Sequence, residues 1–183
     1  MEKGLILVID LDATLISGEI AKRMYKEAYA KTLKMIREKG VEVPKEFYPH
    51  TFENYCKLAR KSKLFKEIYK DVYEKVLERY ICDIRKEKEM ARVTYEYLVA
   101  QYKPKDMFIL TANPKGDVIV KEILPEVSGE RILIVDGCSY VEEKKRELMR
   151  LKSLGKVIYV ADRDELDLIV VKEVGQITSM YFH

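Results

Sequence analysis

An apolar run from Leu5 to Ile9 ends abruptly in two carboxylates, Asp10 and Asp12, and no other stretch constrains the fold as tightly. A run of this kind without polar alternation reads as a strand buried on both faces, which requires cover on either side of a parallel sheet. Side chains two apart on a strand point the same way, so Asp10 and Asp12 converge unless the chain is already leaving the sheet. Two like charges a few ångströms apart repel by several kcal/mol at low dielectric, and a cation between them or a shared proton relieves this. Mg²⁺ with oxygen ligands meets that need. A solvated strand end with acids in the following turn is the simpler alternative.

After Leu15 the period changes from strand to helix. Ser17 is placed to cap a helix through Lys39 in which Ile20, Met24, Ala28 and Ile36 recur, with Gly40 beyond its end. Thr51 can cap a short helix to about Arg60. A longer helix follows with two apolar columns, Leu64, Ile68, Val72, Val76 and Tyr80 beside Phe65, Tyr69, Tyr73 and Leu77, and a further helix is expected over about 84–102. The tyrosines in these columns read as core packing with the hydroxyl at the rim, ahead of the alternative of a stacking surface for bases.

From Met107 strands and helices alternate. Strands are expected over 107–110, 132–135, 157–160 and 177–182, and helices over 114–124, 141–154 and 164–174. The expected architecture is a three-layer α/β sandwich with a mainly parallel, five-stranded, Rossmann-like sheet built from residues 1–16 and 106–183, interrupted by an inserted α-helical module at 17–105.

In open parallel sheets ligands bind beyond the carboxyl ends of the strands. The second strand ends in Thr111-Ala112-Asn113-Pro114, a hydroxyl followed by an expected N-cap and a proline at the first helical position, which leaves backbone N–H groups for an anion. The helix before the fourth strand opens Glu142-Glu143-Lys144-Lys145, and lysines there oppose the helix dipole, a cost that suggests use, although in a chain this rich in lysine solvated surface is the simpler account of either one alone. The fourth strand ends in Ala161-Asp162, with Asp167 five residues on. Two acids in that arrangement can hold a divalent ion opposite Asp10. Asp136, after the third strand, reads as structural or as a residue behind the metal ligands.

Composition separates the two parts. The chain is 48% hydrophobic and 36% charged, which excludes disorder. Its net charge of +3 hides a split: residues 17–105 hold 22 Lys and Arg against 14 Asp and Glu, and the remainder holds 12 against 17. Cys56, Cys82 and Cys138 are three, widely spaced and without C-x-x-C, which argues against a disulfide framework or structural zinc. The apolar N-terminal run is too short for a signal segment or a membrane span, so a soluble cytoplasmic protein with no membrane partner is expected.

Together these residues resemble the haloacid dehalogenase superfamily of phosphohydrolases. The first motif, D-x-D-x-T after an apolar strand, stands as Asp10-Leu11-Asp12-Ala13-Thr14; the second as Phe108-Ile109-Leu110-Thr111-Ala112-Asn113; the third as Lys144 with Leu148, with Lys145 as its rival; and the fourth as Asp162 and Asp167. Ala13 and Ala161 depart from the glycines common at those positions, the mildest such change unless the backbone there needs positive φ. The insert falls where the family carries its helical type-1 cap.

The resemblance implies an Mg²⁺-dependent phosphatase acting on a small phosphorylated metabolite rather than nucleic acid. In it Asp10 is the nucleophile, and Asp12 protonates the leaving oxygen and then deprotonates water. Thr111 and Lys144 hold the equatorial oxygens, and Leu11, Ala112 and Asn113 complete the phosphate site. The metal is held by Asp10, the backbone carbonyl of Asp12, Asp162, and Asp167 either as a ligand or behind one. A response-regulator receiver domain also gathers acids, a threonine and a lysine around Mg²⁺, but there the threonine follows the phosphoacceptor, whereas here Thr111 precedes every later acid. A catalytically idle scaffold, whose basic, tyrosine-rich insert binds nucleic acid or a protein, is the alternative of a different class.

Overall fold

The computed structural model describes residues 4–162, 165–174 and 178–181. In chain order the elements are β1 (Leu5–Ile9), α1 (Gly18–Glu38), α2 (Phe52–Lys61), α3 (Lys63–Lys86), α4 (Lys88–Tyr102), β2 (Asp106–Thr111), α5 (Gly116–Ile123), β3 (Ile132–Ile134), α6 (Tyr140–Leu154), β4 (Lys156–Ala161), α7 (Glu165–Val174) and β5 (Thr178–Tyr181). The strands form a parallel sheet in the order β3-β2-β1-β4-β5. The chain is thus of the α/β class that the alternation of strand and helix patterns implies.

The apolar run of β1 takes the centre of the sheet, buried from Ile6 to Ile9 between β2 and β4, of which β4 is likewise buried from Val157 to Ala161. Ile9 pairs with Ile109 of β2 on one side and Val160 of β4 on the other. Three neighbouring strands therefore end at one rim and bring Asp10, Thr111 and Asp162 there. Ile6 and Val8 point into a cluster with Leu110, Val157, Tyr159 and Ala161 of the sheet, closed by Leu148 and Leu151 of α6 and Val170 and Val174 of α7. Each such aliphatic side chain stabilises the fold by about 1.5–3 kcal/mol on burial. Helix α4 packs on α5 and β1, and α5 on β3.

The chain divides into two compact units, one of them Glu19–Cys82 and the other the remaining described residues. The insert is therefore shorter than the 17–105 read from the sequence. Residues 83–105 belong to the α/β unit because α4 buries Ala91 and Leu98 there, and Arg85 Nε pairs with Glu122 Oε2 at 2.7 Å. Helix α3 runs straight through the boundary, so no breaker in the sequence marks it.

Within the insert, Thr51 caps α2 by accepting a hydrogen bond from the Asn54 N–H at 3.0 Å, and α1 ends at Gly40 with φ 78°, its N–H bonded to the Arg37 carbonyl at 2.9 Å. The α3 columns are buried from Phe65 and Ile68 through Val76 and Leu77, whereas Leu64, in the first turn, is 38% exposed. Phe65, Tyr69 and Tyr73 stack in succession at centroid distances of 5.9 and 6.0 Å. Among the described residues no helix is long and apolar enough to cross a membrane.

Candidate functional site

The backbone turns sharply after β1. The Asp10 N–H still bonds the Val160 carbonyl at 2.8 Å, but the Leu11 carbonyl then accepts from the N–H groups of Thr14, Leu15 and Ile16 at 3.2, 2.9 and 3.1 Å. This tight turn requires Ala13 at φ 61°, a conformation that favours glycine. It takes Asp12 out of the sheet, half-buried, while Asp10 stays in the interior at 5% exposure. Leu11 is fully buried beneath the turn, and the Thr14 hydroxyl oxygen is buried with no hydrogen-bond partner among the described residues.

Lys144 is one turn into α6, in phase with Leu148 and Leu151, so an ammonium occupies a core position at 0% exposure. Of the two lysines that open this helix, Lys144 is the one the fold brings to the site. Its Nζ lies 2.9 Å from Asp10 Oδ1, 3.1 Å from Asp167 Oδ1, 2.7 Å from the Tyr140 hydroxyl and 2.8 Å from the Tyr159 hydroxyl. Tyr159 in turn donates to Asp167 Oδ1 at 2.6 Å. Replacing a buried ion pair by apolar residues of similar volume is often neutral or stabilising by about 1–4 kcal/mol. Core stability therefore gives no reason for a lysine here.

The electrostatics follow from burial. Desolvation raises the Asp10 carboxyl to about 7; the Lys144 charge opposes this, while Asp167 and Asp12 add to it. For Lys144 desolvation acts downward, but the charges of Asp10 and Asp167 outweigh it and the ammonium is held above its ordinary range. Burial, followed by the two nearby carboxylates, pushes the Tyr159 phenol well above its ordinary value, so it remains protonated.

At the end of β2 the outcome differs from the sequence reading. Asn113 is not the N-cap of α5, which begins at Gly116. Its side chain closes a turn instead: Oδ1 accepts from the Lys115 N–H at 3.0 Å, and Nδ2 donates to Asp12 Oδ1 at 3.1 Å. The Asn113 N–H donates to Thr111 Oγ1 at 3.0 Å, and the Gly116 N–H to the Asn113 carbonyl at 3.0 Å. The backbone donors of Asn113, Lys115 and Gly116 are thus already used. Asn113 orients Asp12, and Thr111, buried and accepting one bond, keeps its own hydroxyl proton to donate. A Cβ on Gly116 would stand 2.5 Å from Thr111 Cγ2, so glycine lets the helix start close onto the strand end. Ala112, between the two, is half-buried.

The chain matches no protein-family model and no curated protein sequence.

Asp10, Asp162 and Asp167 each offer a carboxylate oxygen, and the three atoms lie within 4.8 Å of one another. A set of oxygen donors only suits a hard cation of the Mg²⁺ or Ca²⁺ kind rather than zinc or copper. Asp136 stays apart from this group: its Oδ1 accepts from the Cys138 N–H at 2.8 Å and its own N–H donates to Glu143 Oε2 at 2.7 Å, a structural turn. Two participants, Tyr140 and Tyr159, were not singled out from the sequence. The available signals were a lone aromatic residue in strand β4, aliphatic otherwise from Val157 to Ala161, and a tyrosine four residues before Lys144, on the same helix face.

Proposed function

We propose that the protein is an Mg²⁺-dependent phosphatase of the haloacid dehalogenase type that hydrolyses a small phosphate monoester through an aspartyl phosphate. The observation that carries this reading is Asp10 at the end of the central strand, joined to a fully buried lysine and within 4.8 Å reach of two further acids. In this reading the α/β unit is the family's three-layer scaffold, and the insert is its cap.

Asp10 forms a bond to phosphorus as the bond to the leaving oxygen breaks, and Asp12 gives its proton to that oxygen. Water then attacks the phosphorus of the intermediate, Asp12 takes a proton from it, and the Asp10 carboxylate is released with inorganic phosphate. Asn113 keeps Asp12 aimed through both steps. Lys144 and the Thr111 hydroxyl donate to the equatorial oxygens, where preorganised donors are worth most. Asp10, Asp162 and the Asp12 carbonyl, with Asp167 beside them, would hold Mg²⁺, which would supply positive charge to offset the repulsion between nucleophile and phosphate.

The competing scaffold reading takes the basic, tyrosine-rich insert as a surface for nucleic acid or a protein, although among the described residues of Glu19–Cys82 the one exposed tyrosine is Tyr48, at 43%. Tyr29, Tyr69 and Tyr73 are instead packed at 5% exposure or less, so their faces are committed to the core.

The deciding experiment is hydrolysis of an aryl phosphate, followed by a panel of phosphorylated metabolites, with Mg²⁺ and with chelator. Asp10→Ala is expected to lower turnover by about 10³-fold or more, the scale on which losing a nucleophile disables other enzymes. Substantial turnover by a purified Asp10→Ala variant would remove Asp10 from its assigned role.

A further inference from the structure

Lys144 has more acceptors than protons. An ammonium donates three hydrogen bonds, yet Nζ faces the hydroxyls of Tyr140 and Tyr159 at 2.7 and 2.8 Å and the carboxylates of Asp10 and Asp167 at 2.9 and 3.1 Å. Tyr159 accepts from Lys144 and donates to Asp167 Oδ1 at 2.6 Å. Nζ, the phenol oxygen and Oδ1 thus form a closed triangle, which fixes the ammonium more tightly than one ion pair on a flexible stem could. The Tyr159 ring is itself immobilised among Ile6, Val8, Leu110, Leu148 and Val157. Phenylalanine would fill that space as well. The hydroxyl is the part that packing does not explain, and it stands between two charged groups at 0% residue exposure.

On the phosphoryl-transfer reading above, we propose that Tyr159 is a positioning residue whose hydroxyl holds Lys144 and Asp167 in register, so that the ammonium meets the equatorial oxygens of the phosphoryl group in flight. A phosphate in its ground state tolerates a displaced ammonium; the trigonal arrangement at the transition state does not. The triangle therefore acts on the chemical step more than on binding.

The test compares the wild-type protein with Tyr159→Phe in Mg²⁺, measuring affinity for orthovanadate and for inorganic phosphate by calorimetry, with kcat and KM on an aryl phosphate. Vanadate affinity and kcat are expected to fall about tenfold, the scale of one hydrogen bond to a charged group, while KM and phosphate affinity change little. Equal losses for both anions, or none, would reduce Tyr159 to a core residue and overturn the proposal. Wild-type protein that binds neither anion overturns the phosphatase reading, and the proposal with it. If Tyr159→Phe does not fold, 3-fluorotyrosine placed at 159 serves instead: its fluorine resonance should shift when vanadate is added with Mg²⁺, and an unmoved resonance overturns the proposal.

Discussion

Tyr29 of the insert and Tyr159 of the α/β unit are both fully buried, and their phenols end on different chemistry. The Tyr29 hydroxyl donates to the Phe47 backbone carbonyl at 2.6 Å, a neutral partner, whereas that of Tyr159 bridges an ammonium and a carboxylate. The contrast extends to the rest of each interior. Among the described residues the one buried polar side chain of the insert apart from tyrosine is Thr32, satisfied by the Ala28 carbonyl of its own helix at 2.7 Å. The α/β unit buries Asp10, Thr111, Asn113, Lys144 and Asp167. Two units of one chain thus solve the burial problem differently. One closes off its polar groups locally with backbone, and the other keeps charged groups waiting on one another, an arrangement that core stability gives no reason to keep.

The largest effect that would break this contrast belongs to Asp12. Asp12→Asn keeps the carbonyl and its pairing with Asn113 but cannot move a proton, and general acid–base catalysis is worth roughly 10²–10⁴ in rate. With an aryl phosphate the first step needs little acid, so the variant should release about one equivalent of phenol in a burst and then turn over slowly. Rapid quench and mass spectrometry should find the phosphate on the peptide containing Asp10. A burst from Asp10→Asn and none from Asp12→Asn would exchange the two roles.

The insert's phenol should behave as structure alone. Tyr29→Phe is expected to lower stability by about 1 kcal/mol, the net worth of one hydrogen bond, with kcat unchanged. Thermal unfolding and steady-state kinetics on the same preparation check both halves, and a fall in kcat would erase the distinction between the two tyrosines.

These cases also show how much could be read beforehand. Strand and helix spans followed from apolar periodicity, because burial on one or two faces writes itself into the spacing. Lys144 was favoured over Lys145 only through the family pattern that Leu148 completes, and the two stayed rivals until the fold placed Lys144 at 0% exposure. Asn113 was misread because an Asn-Pro pair before a helix carries the same local signal whether the side chain caps that helix or closes a turn two residues earlier and reaches Asp12. Tyr159 was hidden for a deeper reason. Its ring satisfies every rule for a core residue, and its hydroxyl's partners, Lys144 and Asp167, lie on α6 and α7, which local spacing cannot bring together.

Acidification should move the two interiors in opposite directions. In the metal-free protein Asp10 titrates near 7 against 3.8 when unfolded, so the native state binds more protons in that window and the α/β unit gains stability as pH falls through it. His50, packed on the Tyr29 ring at 5.1 Å, is held below its ordinary value by burial and by the charge of Lys26. Here the unfolded state binds the proton first, and the insert loses stability as pH falls below about 6.5. Hydrogen exchange in chelator at pH 7.5 and 5.5, corrected for intrinsic rates, should show β1 and β4 amides better protected at the lower pH and α1 and α3 amides less so. Parallel shifts in both units would contradict the assignment.

The smallest effect concerns strain. Among the described residues, side chains at positive φ fall at Ala13 and Lys103, both in the α/β unit, whereas the insert's positive φ is on Gly40. An L-residue with a Cβ pays about 1–2 kcal/mol in the left-handed region, and glycine returns roughly 0.5–1 kcal/mol of that as unfolded-state entropy. Ala13→Gly should therefore stabilise the protein by about 0.5 kcal/mol or leave it unchanged. A double mutant separates strain from packing, because a Cβ on Gly18 would stand 2.9 Å from the Ala13 Cβ. Gly18→Ala alone should destabilise through that contact. In the Ala13→Gly background the contact is gone and alanine's better helix propensity remains, so the same change should become neutral or favourable. Additive effects in the four-protein cycle, measured by denaturant unfolding, would mean that the turn after Asp10 yields rather than holds its shape, and that the left-handed residue is not what sets Asp12 apart from the sheet.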